Sequence, residues 1–392
     1  MRVLLNCLSS RSGGAVAYLR NLVPLLRPAL ETHDADLLAL GRPDQQALLE
    51  AIPATNQVLV RNFVGSSLGR SLWERLRLAS LIRSLGVDVL FTPYQVGTLG
   101  PGVRNVVMLR NMEPFFGGEY EYSVRSRLRN EALRAATARC LRAADAVIAV
   151  SDFAARVATE SLHVDPIGLR RIYHGRDLAF GSDSESVDLA LRDLGLSDRP
   201  FIFTCGSILP YRRVEDIVAG YGRAVSGQAE PPRLVIAGTG TDERYSHAVM
   251  ASIRSSPARS SIDYLGQVSR ESMVALYRRS KLFVTATEVE ACPNIAIEAM
   301  TAGCTIISSA TPVMREMFRD GALFYSPRDV DSLTEVIRST LLDAGMAADL
   351  RNRAVRRAET FSWESCARET AQCLVDGGPT RPTGRLQAPP HR

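Results

Sequence analysis

Short, mostly apolar segments alternate with stretches of helical periodicity along this chain, and the alternation runs through twice. Residues 3–5, 36–40, 58–60, 87–91, 105–109 and 146–150 read as buried strands, near-continuous apolar runs. Residues 16–26, 72–85 and 124–143 read as helices, the first with Leu19, Leu22, Val23 and Leu26 on one face. After a polar, Asp/Ser-rich stretch at 179–199 the pattern restarts, with strands at 201–205, 233–237, 282–284, 305–309 and 322–325. Alternation of this kind builds a parallel sheet covered by helices. At 392 residues the chain suits two cores of ordinary size. The expected fold class is α/β, with two Rossmann-like domains whose parallel sheets face across a cleft. The expected boundaries are 1–178 for the first domain, completed by a C-terminal helix at about 362–376, and 199–361 for the second. Residues 377–392, rich in Pro, Gly and Arg, read as a disordered tail.

Several function classes drop out on residue content. Lys281 is the only lysine, so no P-loop Gly-Lys-Ser/Thr exists, and a Schiff-base lysine has no supporting motif. No Gly-x-Gly-x-x-Gly follows a strand, which argues against a nicotinamide cofactor. Seven scattered cysteines without a Cys-x-x-Cys pair indicate neither a zinc site nor a disulfide framework, and fit a reducing, cytoplasmic compartment. Asp34-Ala-Asp36 has the spacing of a metal-binding pair but precedes a strand, so no metal ligand is assigned. The net charge of +5 is almost all arginine and dispersed without aromatic interleaving, which argues against nucleic-acid binding. Six arginines make the 124–143 helix basic; a solvated face and a peripheral contact with the inner face of a membrane are both consistent with that.

The segment with the most chemistry is Thr285-Ala-Thr-Glu-Val-Glu-Ala-Cys-Pro-Asn-Ile-Ala-Ile-Glu-Ala-Met-Thr-Ala-Gly303. It follows the strand at 282–284. A helix opens near Pro293, where proline suits the first helical position. Glu298 interrupts the apolar face of that helix, and a carboxylate there is costly to desolvate unless it meets hydroxyls or other donors. Glu290 stands in the loop before the helix. Two carboxylates and a helix N-terminus at the carboxyl end of a parallel strand suit a polyhydroxylated, phosphorylated ligand.

Glu-x7-Glu followed by Ala-Met-x-Ala-Gly resembles the signature of family-4-type retaining glycosyltransferases (group 1 glycosyltransferases) of the GT-B fold. The resemblance implies that Glu290 contacts the hydroxyls of the donor sugar and Glu298 the ribose of the nucleotide, with Pro293, Asn294 and Ile295 beside them. Gly206-Ser-Ile-Leu-Pro-Tyr-Arg-Arg213 is similar to the family's Gly-Arg-x-x-x-x-Lys-Gly loop, whose cations neutralise the donor diphosphate. Ser207 takes the place of the first cation and Arg212 that of the second, with Arg213 adjacent. Arginine is a sound substitute, because its planar fork binds phosphate oxygens. The Gly238 turn, and Gln267 and Val268, resemble segments that lie near the nucleotide and its base. Gly13 and Gly14 resemble the loop that approaches the donor phosphate and the acceptor. Where many members carry a His-Asp pair at a strand end, this chain has Arg110 and Asn111, which become the candidate sugar or acceptor contacts. Ser151 reads as a helix N-cap and His174 as a structural turn residue.

The function this implies is transfer of a hexosyl group from a nucleotide-diphosphate sugar, UDP- or GDP-linked, to an acceptor hydroxyl, with anomeric retention. Glu290 and Arg212 are the catalytic candidates, and no metal or other cofactor is required. The acceptor is a glycan, a lipid-linked intermediate or a small molecule. A nucleotide-sugar epimerase of the same fold and a non-catalytic nucleotide-sugar or glycan-binding protein remain open.

Overall fold

The computed structural model describes residues 1–10, 13–61, 65–120, 122–182 and 185–377. Two compact units emerge. One holds residues 1–111, 133–174 and the chain from Trp363 onward; the other holds residues 112–132 and 175–362.

The first unit is built on seven parallel strands: β1 (Arg2–Asn6), β2 (Asp36–Gly41), β3 (Gln57–Leu59), β4 (Val89–Thr92), β5 (Arg104–Leu109), β6 (Ala146–Ala149) and β7 (Leu169–Arg171). Their order is β3-β2-β1-β4-β5-β6-β7. Leu4 pairs with Leu38 on one side and Leu90 on the other, so the middle of the sheet is an apolar row. Direction along the sheet reverses between β1 and β4, the point at which an open α/β sheet leaves a crevice beyond its strand ends. Against this sheet lies the helix Gly13–Glu31, with Tyr18, Leu19, Leu22, Val23 and Leu26 buried. The last helix, Trp363–Val375, packs on it. Between them His174 stacks on Trp363 with ring centroids 5.8 Å apart, and Tyr18 lies 5.1 Å from the His174 ring. His174, read as a structural turn residue, is thus packed between two aromatic rings.

The second unit has six parallel strands: β8 (Phe201–Cys205), β9 (Arg233–Ala237), β10 (Ile262–Gly266), β11 (Leu282–Thr285), β12 (Ile306–Ser309) and β13 (Leu323–Tyr325), in the order β10-β9-β8-β11-β12-β13. Its switch point lies between β8 and β11. Ile202, Ile217, Tyr221, Leu234, Ile236, Val284, Ile307 and Leu333 form a core with almost no exposure. Burial of each such side chain contributes roughly 1.5–3 kcal/mol.

Several local expectations shift. Residues 179–199, read as a connector, contain the helix Glu185–Asp193, which packs on the helix Arg270–Arg279 and pairs Asp188 with Arg279 at 3.0 Å. Polar composition there marks a solvated helix face instead of a link. The helix read at 72–85 begins earlier, as a continuous run of Ser67–Trp73, a wide π turn Glu74–Leu78 and Ala79–Leu85. Pro293 is the N-cap, one position before the helix Asn294–Thr301. Ser151 caps its helix as expected, accepting a hydrogen bond from the Ala154 N–H at 3.0 Å. Residues 378–392, the expected disordered tail, lie outside the described residues.

Candidate active site

At the carboxyl end of β8 the chain enters a loop that only glycine can build. Gly206 has φ +127° and Gly238, at the end of β9, has φ +136°. A Cβ on Gly238 would stand 1.8 Å from the Gly206 carbonyl oxygen, and one on Gly240 2.2 Å from that of Ile208. The two loops are joined by hydrogen bonds from Gly206 N–H to Ala237 O (3.0 Å) and from Ile208 N–H to Thr239 O (2.9 Å). Gly238 thus holds its place by backbone contact, whatever else approaches it. Ser207 is exposed at the tip of the joined loops.

The chain then makes one 3₁₀ turn, Pro210–Arg212, and turns sharply at Arg213, which has φ +50°. This aims two adjacent arginines in different directions. Arg213 folds over its own helix, Val214–Ala224: Nε and Nη2 donate to both Asp216 oxygens at 2.9 Å, and Nη1 lies 3.0 Å from Glu215. A cation opposes the dipole at a helix start, and these two carboxylates offset it. Arg213, expected beside the donor diphosphate, is in this structure engaged with the two carboxylates at the start of its own helix.

Arg212 points the other way, beneath the Gly206 loop. Its Nη1 stands 2.6 Å from Glu290 Oε1, with side chains only 15% and 13% exposed. Glu290 arrives from the loop after β11, so the pair bridges the two strands flanking the switch point. Burial works against the Arg212 charge, but Glu290 and Tyr211 outweigh it and hold the guanidinium firmly protonated. Burial raises the Glu290 carboxyl, with Arg212 and the Thr287 hydroxyl pulling it back. The Arg212 Nε is buried and has no hydrogen-bond acceptor among the described residues. An arginine kept charged by one carboxylate, with a donor to spare beside a glycine loop, is suited to an entering anion.

Glu298 sits on the helix Asn294–Thr301, whose start lacks a side-chain cap. The Tyr277 hydroxyl donates to Glu298 Oε2 at 3.1 Å and also lies 2.9 Å from the Cys205 thiol. Burial pushes the Glu298 carboxyl up to about 7; Tyr277 and Arg270 oppose the rise, and Asp177 adds to it. Asp177 and Arg270 are themselves ion-paired. The desolvation cost expected for this carboxylate is therefore met in part by a tyrosine that sequence reading passed over. Tyr277 is one of several core aromatics at helical spacing, and only the tertiary contact reveals its role. Gln267 and Val268 lie between β10 and the helix Arg270–Arg279, past the Gly266 turn at φ +64°.

In the second unit, then, Ser207, Arg212, Gly238, Glu290, Pro293, Asn294, Ile295 and Glu298 gather beyond the carboxyl ends of β8, β9 and β11. The remaining candidates belong to the first unit. Gly13 and Gly14 open the helix that follows β1, Gly13 with φ +55° and open space at its Cβ position. Arg110 and Asn111 follow β5, and the Arg110 guanidinium lies 5.3 Å from the Tyr18 ring on that same helix. Gln95, fully buried, holds both: its carbonyl accepts from the backbone N–H of Arg110 (3.3 Å) and Asn111 (2.8 Å), while its amide donates to Asn111 O at 2.9 Å. A buried glutamine shaping a strand end left no motif to read.

Known proteins place this geometry. Residues 12–180 match the model for Glycosyltransferase Family 4, and residues 190–359 that for Glycosyl transferases group 1. The chain is 24% identical over 236 residues to the serotype-specific mannosyltransferase WbdA of Escherichia coli, covering 60% of this chain but 28% of that protein. It is 31% identical over 170 residues to glycogen synthase of Mycobacterium tuberculosis, covering 40% and 39% of the two. The chain thus spans less than two fifths of the length of either relative. The fold superposes on Anabaena HepE in complex with UDP and glucose, with TM-score 0.73, 16% identity and 95% and 99% of the two chains covered.

Proposed function

The chain belongs to the group 1 glycosyltransferases of GT-B architecture, and on that premise we propose that it transfers a hexosyl group from a UDP- or GDP-linked sugar to an acceptor hydroxyl with retention at the anomeric carbon. The observation that carries this reading is the buried Arg212–Glu290 pair beneath the Gly206 loop, with the Arg212 Nε unspent. The leaving nucleoside diphosphate gains negative charge as the glycosidic bond breaks. Arg212, already charged and fixed, meets that charge without reorganising. Glu290 holds sugar hydroxyls, and Glu298 accepts from the ribose. In this reading positive charge comes from the protein, so the reaction runs without a divalent cation. UDP is the first donor nucleotide to try, because HepE is bound to it. A glycan or lipid-linked acceptor is favoured by the mannosyltransferase relative, whose name assigns it to serotype-specific chemistry.

The test is a transfer assay with UDP- and GDP-hexoses against a panel of glycan and lipid-linked acceptors, with chelator present, reading product anomeric configuration by proton NMR. Transfer with retention, lost by at least a hundredfold in Arg212→Ala, supports the proposal. Inverted product, or turnover abolished by chelator, overturns the corresponding part. Interconversion of the donor sugar without transfer makes the chain an epimerase, and donor binding without turnover makes it a binding protein.

A further inference from the structure

The helical run that starts at Ser67 carries an apolar ridge facing solvent. Leu68, Leu72 and Leu76 are 86%, 56% and 68% exposed. They recur every four residues, and the wide π turn at Glu74–Leu78 offsets the angular drift that this spacing accumulates along an α-helix. The opposite face is firmly seated. Leu78 and Ile82 are buried in the first unit's core, with Trp73, Leu81 and Leu85 packed against it. Glu74 accepts hydrogen bonds from the Asn6 side chain at 3.0 Å and from Thr98 N–H at 3.2 Å. The ridge is thus presented by a fixed element.

Charge along the same run is one-sided. Arg75, Arg77 and Arg83 are exposed, and none forms an ion pair among the described residues. From Ser66 to Gly86 the only acid is Glu74, which is buried. Three exposed leucines flanked by unpaired arginines, with no exposed carboxylate, match an interface of hydrocarbon beneath negative headgroups. The basic helix Val124–Ala143, for which the sequence left a solvated face and a membrane contact both open, is less one-sided. It too exposes apolar side chains, Val124 and Leu128, but its Arg129 is paired with Glu113 at 2.9 Å and Glu131 adds an exposed carboxylate among its arginines. Among the described residues no helix is long and apolar enough to cross a membrane.

We propose that Leu68, Leu72 and Leu76, with Arg75, Arg77 and Arg83, dock the first unit on an anionic lipid surface, the leucines entering the headgroup boundary and the arginines pairing with lipid phosphates. This surface shares no residue with those assigned to donor binding, and it stands whether or not the transferase reading holds.

The experiment is co-sedimentation of the full chain with vesicles of phosphatidylglycerol and phosphatidylcholine, beside vesicles of phosphatidylcholine alone. Binding is expected on the anionic vesicles only, weakening with salt as exposed charges are screened. The triple variant Leu68→Ser, Leu72→Ser, Leu76→Ser should bind at least tenfold more weakly with an unchanged melting temperature. Arg75→Gln with Arg77→Gln should weaken binding and flatten its salt dependence. If the triple variant does not fold, Leu72→Ser alone and the arginine pair carry the test. The proposal fails if wild type ignores anionic vesicles, or if the leucine variants bind as well as wild type. It also fails if light scattering finds a dimer that the leucine variants abolish, because a second copy then covers the ridge.

Discussion

Glu298 illustrates how a candidate binding residue is held at a cost to the fold. Its folded value of about 7 lies above the ordinary 4.5, so the folded chain grips this proton more tightly than the unfolded chain does. The stability it contributes is complete below about pH 4.5 and is lost as pH rises through about 7. Glu298→Gln should therefore match wild-type stability at acid pH and exceed it above pH 7. In a unit of about 200 residues a gain of 1 kcal/mol appears as about 2–4 °C in a thermal melt. On the proposed ribose contact, the same variant should bind a nucleotide sugar less well, since a hydroxyl would lose its ionised acceptor. A melt-against-pH series for the two proteins decides it, and parallel curves would sink the idea. Tyr277 acts through that carboxylate. Tyr277→Phe removes one hydrogen bond to a charged group, worth about 1.5–3 kcal/mol, and should raise KM for the donor about tenfold or more with kcat little changed. An unchanged KM would show that Glu298 needs no support.

Among elements, the joined loops after β8 and β9 are the most demanding. Gly238→Ala places a methyl 1.8 Å from a carbonyl oxygen at a φ that other residues avoid. It should lower the melting temperature by several degrees and abolish nucleotide-induced stabilisation, read in a thermal-shift assay. A variant with wild-type response would mean that these loops can separate without consequence. Most of these elements were legible in advance, because buried parallel strands are apolar along their whole length and a Glu-x7-Glu loop is chemically conspicuous. β7 was not, since Leu169-Arg170-Arg171 offers one apolar side chain and owes its place to pairing with β6. The direction of Arg213 was equally hidden. Adjacent arginines look alike in a sequence, and only the left-handed turn between the 3₁₀ segment and the helix sends one to Glu290 and the other to Asp216. Gln95 and Tyr277 were missed for a related reason: each acts on a neighbour remote in sequence.

At the level of the molecule, two units with separate cores should not melt as one. A nucleoside diphosphate that binds the second unit should raise one of two calorimetric transitions and leave the other in place, by about 2.7 kcal/mol at a hundred times Kd. A single transition moving as a whole would mean that the units unfold together. The units also differ in how the chain supplies them. The second needs nothing beyond Ser362, whereas the first is closed by Trp363–Val375, whose packing on Gly13–Glu31 joins the two extremes of the described chain. During synthesis, therefore, the half made first is finished last. Its first helix leaves the ribosome with Tyr18 and Leu22 uncovered and waits through some 340 further residues for its partner. Chaperones would find their substrate in that interval, on the amino-terminal half, while the second unit has already folded behind it.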